Sequence, residues 1–133
     1  MKWTNLLLFV CFACICCRKD NASAGMPDGI WVDQAQPQDT IITYREGNRN
    51  VLFNKSQIYR DARPTLRSDE YFKWIYKLEP GKIRMKGYSQ QAEDYATWDF
   101  NWTVEGQEFN LSANSIRPYL SSMGSRLVYK RVK

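Results

Sequence analysis

Apolar and polar residues alternate through much of this chain, most cleanly over residues 96–113, ATWDFNWTVEGQEFNLSA. Ala96, Trp98, Phe100, Trp102 and Val104 fall on one face; Thr97, Asp99, Asn101 and Thr103 fall on the other. Side chains in a strand point to opposite faces with a period of two, so the stretch predicts a half-buried strand with three aromatics inward. Glu105-Gly106 predicts a tight turn, after which Phe109 and Leu111 continue the inward row on a second strand.

The same pattern recurs on both sides. Gly29-Ile30-Trp31-Val32 opens the folded part, and residues 40–46 form a β-branched run that turns at Gly47-Asn48 and returns over 49–54. Residues 71–78 place Phe72, Trp74, Tyr76 and Leu78 on one face. Glu79-Pro80-Gly81-Lys82 fits a type II turn, and Ile83 and Met85 carry the inward row onward. Residues 126–132 predict a last strand. Residues 55–70 and 89–94 show no period and predict loops, and 114–125 predicts either a short helical turn or a crossing of one end of the sheet. About eight short strands, hairpin connections and no long helix predict an all-β fold, either an up-and-down antiparallel β-barrel or a sandwich. Closure removes exposed strand edges, which favours the barrel.

A chain of 133 residues allows one domain, and charged and hydrophobic fractions of 25% and 44% are those of a globular protein. The absence of histidine removes the usual general base at neutral pH and the usual metal ligand. The carboxylate pairs Asp69-Glu70 and Glu93-Asp94 sit in predicted loops, and no Gly-x-Ser-x-Gly occurs. No catalytic residue, metal or cofactor is therefore expected, and the protein is expected not to be an enzyme. All four cysteines, Cys11, Cys14, Cys16 and Cys17, lie in one apolar run, so none staples the body of the chain.

That run is itself a signal. Lys2, then apolar residues 6–17, then Arg18-Lys19-Asp20, is the pattern of a signal peptide, too short to span a bilayer at about 20 residues. Its ending, cysteine followed at once by charge, resembles a bacterial lipoprotein signal and is similar to lipoproteins of the Bacteroidetes. The resemblance implies a signal peptide over 1–16 and a lipid such as palmitate on Cys17, with Cys14 and Cys16 as alternatives. It also implies a polar tether over 17–28 and a location in the cell envelope, anchored through that lipid to a bacterial membrane, the outer membrane being favoured. The barrel domain would then occupy 29–133.

Gly29-Ile30-Trp31, at the start of the first strand, resembles the Gly-x-Trp of the lipocalins. That resemblance implies that Gly29 and Trp31 close the narrow end of an eight-stranded barrel, packed by a late basic residue, Arg126 or Arg131. No helix is expected after the last strand and the chain is short, so the expectation is a small lipocalin-like barrel. Its inward aromatics, Trp31, Trp74, Trp98, Trp102, Phe72 and Phe100, either line a cavity or fill the barrel. The leading expectation is non-catalytic binding of a small apolar or amphipathic ligand in the barrel mouth by Trp74, Trp98, Trp102, Phe72 and Phe100, with 55–70 and 114–125 as lids. The alternative is a protein-binding envelope module, an inhibitor or accessory subunit, with a filled core.

Net charge of +5 adds one feature. Lys73, Lys77, Lys82, Arg84 and Lys86 are expected to share an outward face, where like charges on neighbouring strands repel. Asp99 on the next strand offers a counter-charge, and anionic head groups or an acidic partner would offer others. An exported domain is not expected to meet nucleic acid.

Overall fold

The computed structural model describes residues 25–61, 64–112 and 126–133. The signal peptide, Cys17, most of the tether and the lid candidate at 114–125 lie outside the described residues. Eight antiparallel strands follow one another around a closed barrel: β1 (Gly29–Asp33), β2 (Thr40–Glu46), β3 (Arg49–Asn54), β4 (Lys73–Glu79), β5 (Lys82–Gly87), β6 (Ala96–Val104), β7 (Glu108–Ser112) and β8 (Arg126–Arg131). Pairing of Trp31 with Arg131 and of Asp33 with Tyr129 joins the first strand to the last and excludes the sandwich. The Ile30 N–H donates to the Lys133 carbonyl at 2.9 Å and the Val132 N–H to the Ile30 carbonyl at 2.9 Å, extending the seam to the end of the chain.

An up-and-down meander has two unlike ends. Here one carries the short turns at 46–49, 79–82 and 104–108; the other carries the connections at 34–39, 55–72 and 88–95, and there β7 ends and β8 begins. We refer to them as the turn end and the loop end.

The registers confirm the predicted inward rows. Leu52 pairs with Trp74, Tyr76 with Met85, Ile83 with Trp98, Phe100 with Leu111, and Phe109 with Tyr129. Three expectations need correction. The first concerns β6, where the alternation holds only for Trp98, Phe100 and Trp102; Ala96 is exposed, and Val104 is 54% exposed. The register shifts between Trp102 and Val104, so a bulge breaks the period before the turn. The turn itself is three residues long, 105–107, with Gly106 at φ +67°, the conformation glycine supplies most cheaply.

The second is that residues 55–70 are not all loop. A short helix α1 (Gln57–Asp61) and a 3-10 helix α2 (Asp69–Phe72) interrupt them. Ser68 caps α2 by accepting the Glu70 N–H at 3.4 Å, and two acids occupy its first turn, both favourable at a helix start. As the third correction, Phe72 therefore belongs to α2, and β4 begins one residue later at Lys73.

Packing is centred on an aromatic cluster. Phe109 touches Trp31, Phe100 and Tyr129 at centroid distances of 5.0, 5.1 and 5.4 Å, and Trp102 at 5.8 Å. Trp31, Ile41, Leu52, Ile83 and Phe109 have no accessible area at all. A void large enough for one water would give its lining side chains accessible area whether or not it opened to solvent. The barrel around Phe109 is filled.

Candidate functional site: a cleft at the turn end

The chain approaches the barrel across its turn end. Met26 is buried at 5% exposure; its N–H donates to the Tyr76 hydroxyl at 3.0 Å. Trp31 Nε1 donates to Thr43 Oγ1 at 2.8 Å, and that hydroxyl donates to the Pro27 carbonyl at 2.7 Å. Arg131 Nη2 donates to the Asp28 carbonyl at 2.6 Å. Residues 25–28, read from the sequence as the end of a tether, are thus seated on the barrel. Burial, the largest influence on it, drives the Tyr76 hydroxyl well above its ordinary pKa; it stays protonated and able to bond Met26.

The Gly-x-Trp pair is placed by the same contacts. Trp31 is wholly buried, on the inward face near this end. A Cβ on Gly29 would collide with the Lys133 carbonyl oxygen, so the seam between β1 and the chain's last residue requires glycine there. Of the two basic candidates, Arg131 is the one paired with Trp31; Arg126 pairs with Ser112 at the loop end.

Residues 25–27, the hairpin tip at 79–81, whose Gly81 carbonyl accepts the Phe100 N–H at 3.1 Å, and the second half of β6 surround a half-open cleft of about 490 Å³. Its apolar walls are Leu78, Phe100, Trp102 and Pro27; Glu79, Asn101 and Glu105 stand at its polar edges. Trp102 is only partly buried, meeting Phe100 edge-to-face at 5.2 Å and Trp31 at 5.9 Å. The floor is therefore a rigid aromatic surface backed by the core. The cavity volume lies within the range of small-molecule sites, about 300–1,000 Å³.

Two of the five aromatics proposed from the sequence as ligand-binding, Phe100 and Trp102, meet in this cleft. Trp74 and Trp98 are half-buried on the inward face toward the loop end, against Leu52 and Ile83. Phe72 is buried outside the core cluster, with the Arg60 guanidinium 4.4 Å from its ring. Arg60 also lies 5.8 Å from the ring of Phe53, an outward-facing residue of β3, and 3.0 Å from Asp69. That holds the described part of the 55–70 segment against the wall of the barrel.

No family model, curated protein or solved structure matches this chain. The site must be read from its own chemistry. Sequence reasoning missed the contribution of Leu78, Pro27 and the turn residues, because the cleft is made by where two hairpin tips and the incoming chain come to rest. It also missed two buried acids. Asp33 ends β1 on the inward register and is 1% exposed, and Asp39 in the following connection is fully buried. The Asp33 N–H donates to the Asp39 carbonyl at 3.0 Å, and Asp33 Oδ1 accepts the Ala35 N–H at 2.9 Å. The signal was present, since Gly29, Trp31 and Asp33 share one strand face.

Proposed function

We propose that this protein is a non-catalytic binding module that holds a small apolar or amphipathic ligand in the turn-end cleft. The observation that carries the reading is an aromatic floor, the partly exposed Trp102 edge-to-face on the buried Phe100, in a cleft of about 490 Å³ over the aromatic cluster packed around Phe109. An apolar chain would lie against Trp102 and Leu78, and a neutral or cationic head would face Asn101 and Glu105. The lipocalin likeness enters as supporting topology: a closed eight-stranded meander with a buried tryptophan near its short-turn end. The lipoprotein reading, with Cys17 as the anchor in a bacterial envelope, rests on residues 1–20 alone and belongs to the same proposal.

The packed core also supports the second reading, a protein-binding envelope module whose contacts lie on its surface. Calorimetric titration with decyl maltoside and decyltrimethylammonium separates the two. Saturable binding that Trp102→Ala removes supports the cleft; no binding of either amphiphile favours the protein-binding module. For the anchor, labelling with a palmitate analogue should vanish in Cys17→Ser, and persistent labelling would move the site to Cys14 or Cys16.

A further inference from the structure

The opposite character appears on the outer wall. Lys77 stands beside Arg84 in the register of β4 and β5, and one residue beyond the Asn50–Tyr76 pair Arg49 lies across from Lys77 on the other side. Three cations thus stand in one row across three strands, an arrangement that costs stability unless something neutralises it. Lys86 lies on the same face in the next row, beside Ile75, and Lys73 in the row beyond that.

Counter-charges cover part of the row. Arg49 pairs with Glu46 at 2.7 Å, Arg84 with Glu79 at 3.3 Å, and Lys86, nearly buried, with Glu93 at 2.8 Å. Five cations meet three carboxylates, and Lys73 and Lys77 have no carboxylate at ion-pair distance among the described residues. Tyrosine rings brace them instead. Lys77 lies 4.5 Å from the centre of the Tyr95 ring; Lys73 and Arg49 lie 5.3 and 5.2 Å from that of Tyr88. A ring face orders a cation without cancelling its charge, which lowers the entropy lost when an anion binds.

The β5–β6 connection folds back over this face and makes it concave. Lys86 Nζ donates to the Ala92 carbonyl at 3.1 Å, and the Tyr88 hydroxyl donates to Glu46 at 2.7 Å. Between them lies a groove of about 450 Å³ whose lining includes Arg49, Lys77, Lys86, Gln90, Gln91 and the carboxylate of Glu93, which Lys86 engages at 2.8 Å. Gln90 accepts the Gly87 N–H through its amide oxygen at 3.3 Å, leaving its NH₂ group to donate to a ligand.

We propose that this groove binds a phosphate monoester at Lys77, a site independent of the turn-end cleft. The lining carries three cations, Arg49, Lys77 and Lys86, against one carboxylate, Glu93, a net charge that matches a phosphate dianion, and Gln90 and Gln91 add neutral donors. The groove is a half-open concavity walled on one side by residues 88–95, a shape that suits a discrete head group better than a flat membrane surface. Nucleic acid fits poorly, because the ring faces a base would stack on are taken by Lys77, Lys73 and Arg49.

The test is calorimetric titration of the full chain in detergent with glucose 1-phosphate, in the native protein and in Lys77→Gln, Lys77→Arg and, as a control on the far wall, Lys130→Gln. Saturable binding is expected, with affinity falling roughly tenfold or more in Lys77→Gln, the scale of one charge-assisted hydrogen bond. Lys77→Arg and Lys130→Gln should stay close to native. Phosphatidic acid vesicles distinguish the sources of the ester: if the head group is the ligand, they bind and glucose 1-phosphate displaces them. No saturable binding, equal losses in Lys77→Gln and Lys130→Gln, or binding only to vesicles that the soluble ester does not displace would each overturn the proposal. So would binding of polyglutamate that glucose 1-phosphate leaves untouched.

Discussion

Phe109 shows how much one side chain of this barrel carries. Four aromatic partners surround it within 5.8 Å, so Phe109→Ala would leave a cavity bounded by rigid rings. A loss of about 3–5 kcal/mol in chemical denaturation is expected. Thr43 acts by geometry rather than volume, since its one hydroxyl accepts from Trp31 and donates to Pro27. Thr43→Val should cost about 1–3 kcal/mol, because a buried indole N–H loses its acceptor and a carbonyl its donor. Glu46 makes the acid dependence testable. The hydrogen bond from Tyr88, ahead of the charge of Arg49, holds its carboxyl below the ordinary value of 4.5. A depressed carboxylate stabilises the fold above its ordinary pKa and loses that contribution as pH falls through the lowered value. Native protein should therefore lose more stability than Glu46→Gln between pH 4.5 and lower pH, as read by thermal melts; equal losses would contradict the role. At this scale the alternation named which tryptophans face inward. It carried no depth, because depth is set by neighbours on other strands, and only Trp31 proved wholly buried.

Among the elements, the β6–β7 hairpin was the plainest in the sequence and still held a surprise. Its alternation is real from Trp98 to Trp102, but the bulge at Thr103 and the three-residue turn release Val104 to solvent. Alternation counts residues and has no means of registering an extra one. Gly106→Val should strain the turn, which needs φ +67°, and weaken amphiphile binding at Trp102 while the β1–β8 seam keeps its hydrogen-exchange protection. The helices at 57–61 and 69–72 were not visible as periodic segments. They are too short to hold themselves, and tertiary anchors such as Arg60 between Phe53, Phe72 and Asp69 fix them.

For the whole molecule, the number of strands and the need to hide their edges were enough to favour closure over a sandwich. What the sequence left open was whether the closed barrel has an interior to offer, and around Phe109 the aromatics fill it. Closure itself hangs on Gly29 and Lys133, where backbone meets backbone with no space for a methyl group. Gly29→Ala should cost about 1–3 kcal/mol and lower the exchange protection of Ile30 and Val132 first. The central claim, that ligand is held on the surface of a solid barrel at Trp102, is tested most directly by quenching of tryptophan fluorescence with an amphiphile brominated along its chain. Contact quenching is expected to be saturable, confined to part of the emission, and abolished in Trp102→Phe. Undiminished quenching in that variant would place the ligand among Trp31, Trp74 and Trp98 and contradict the account.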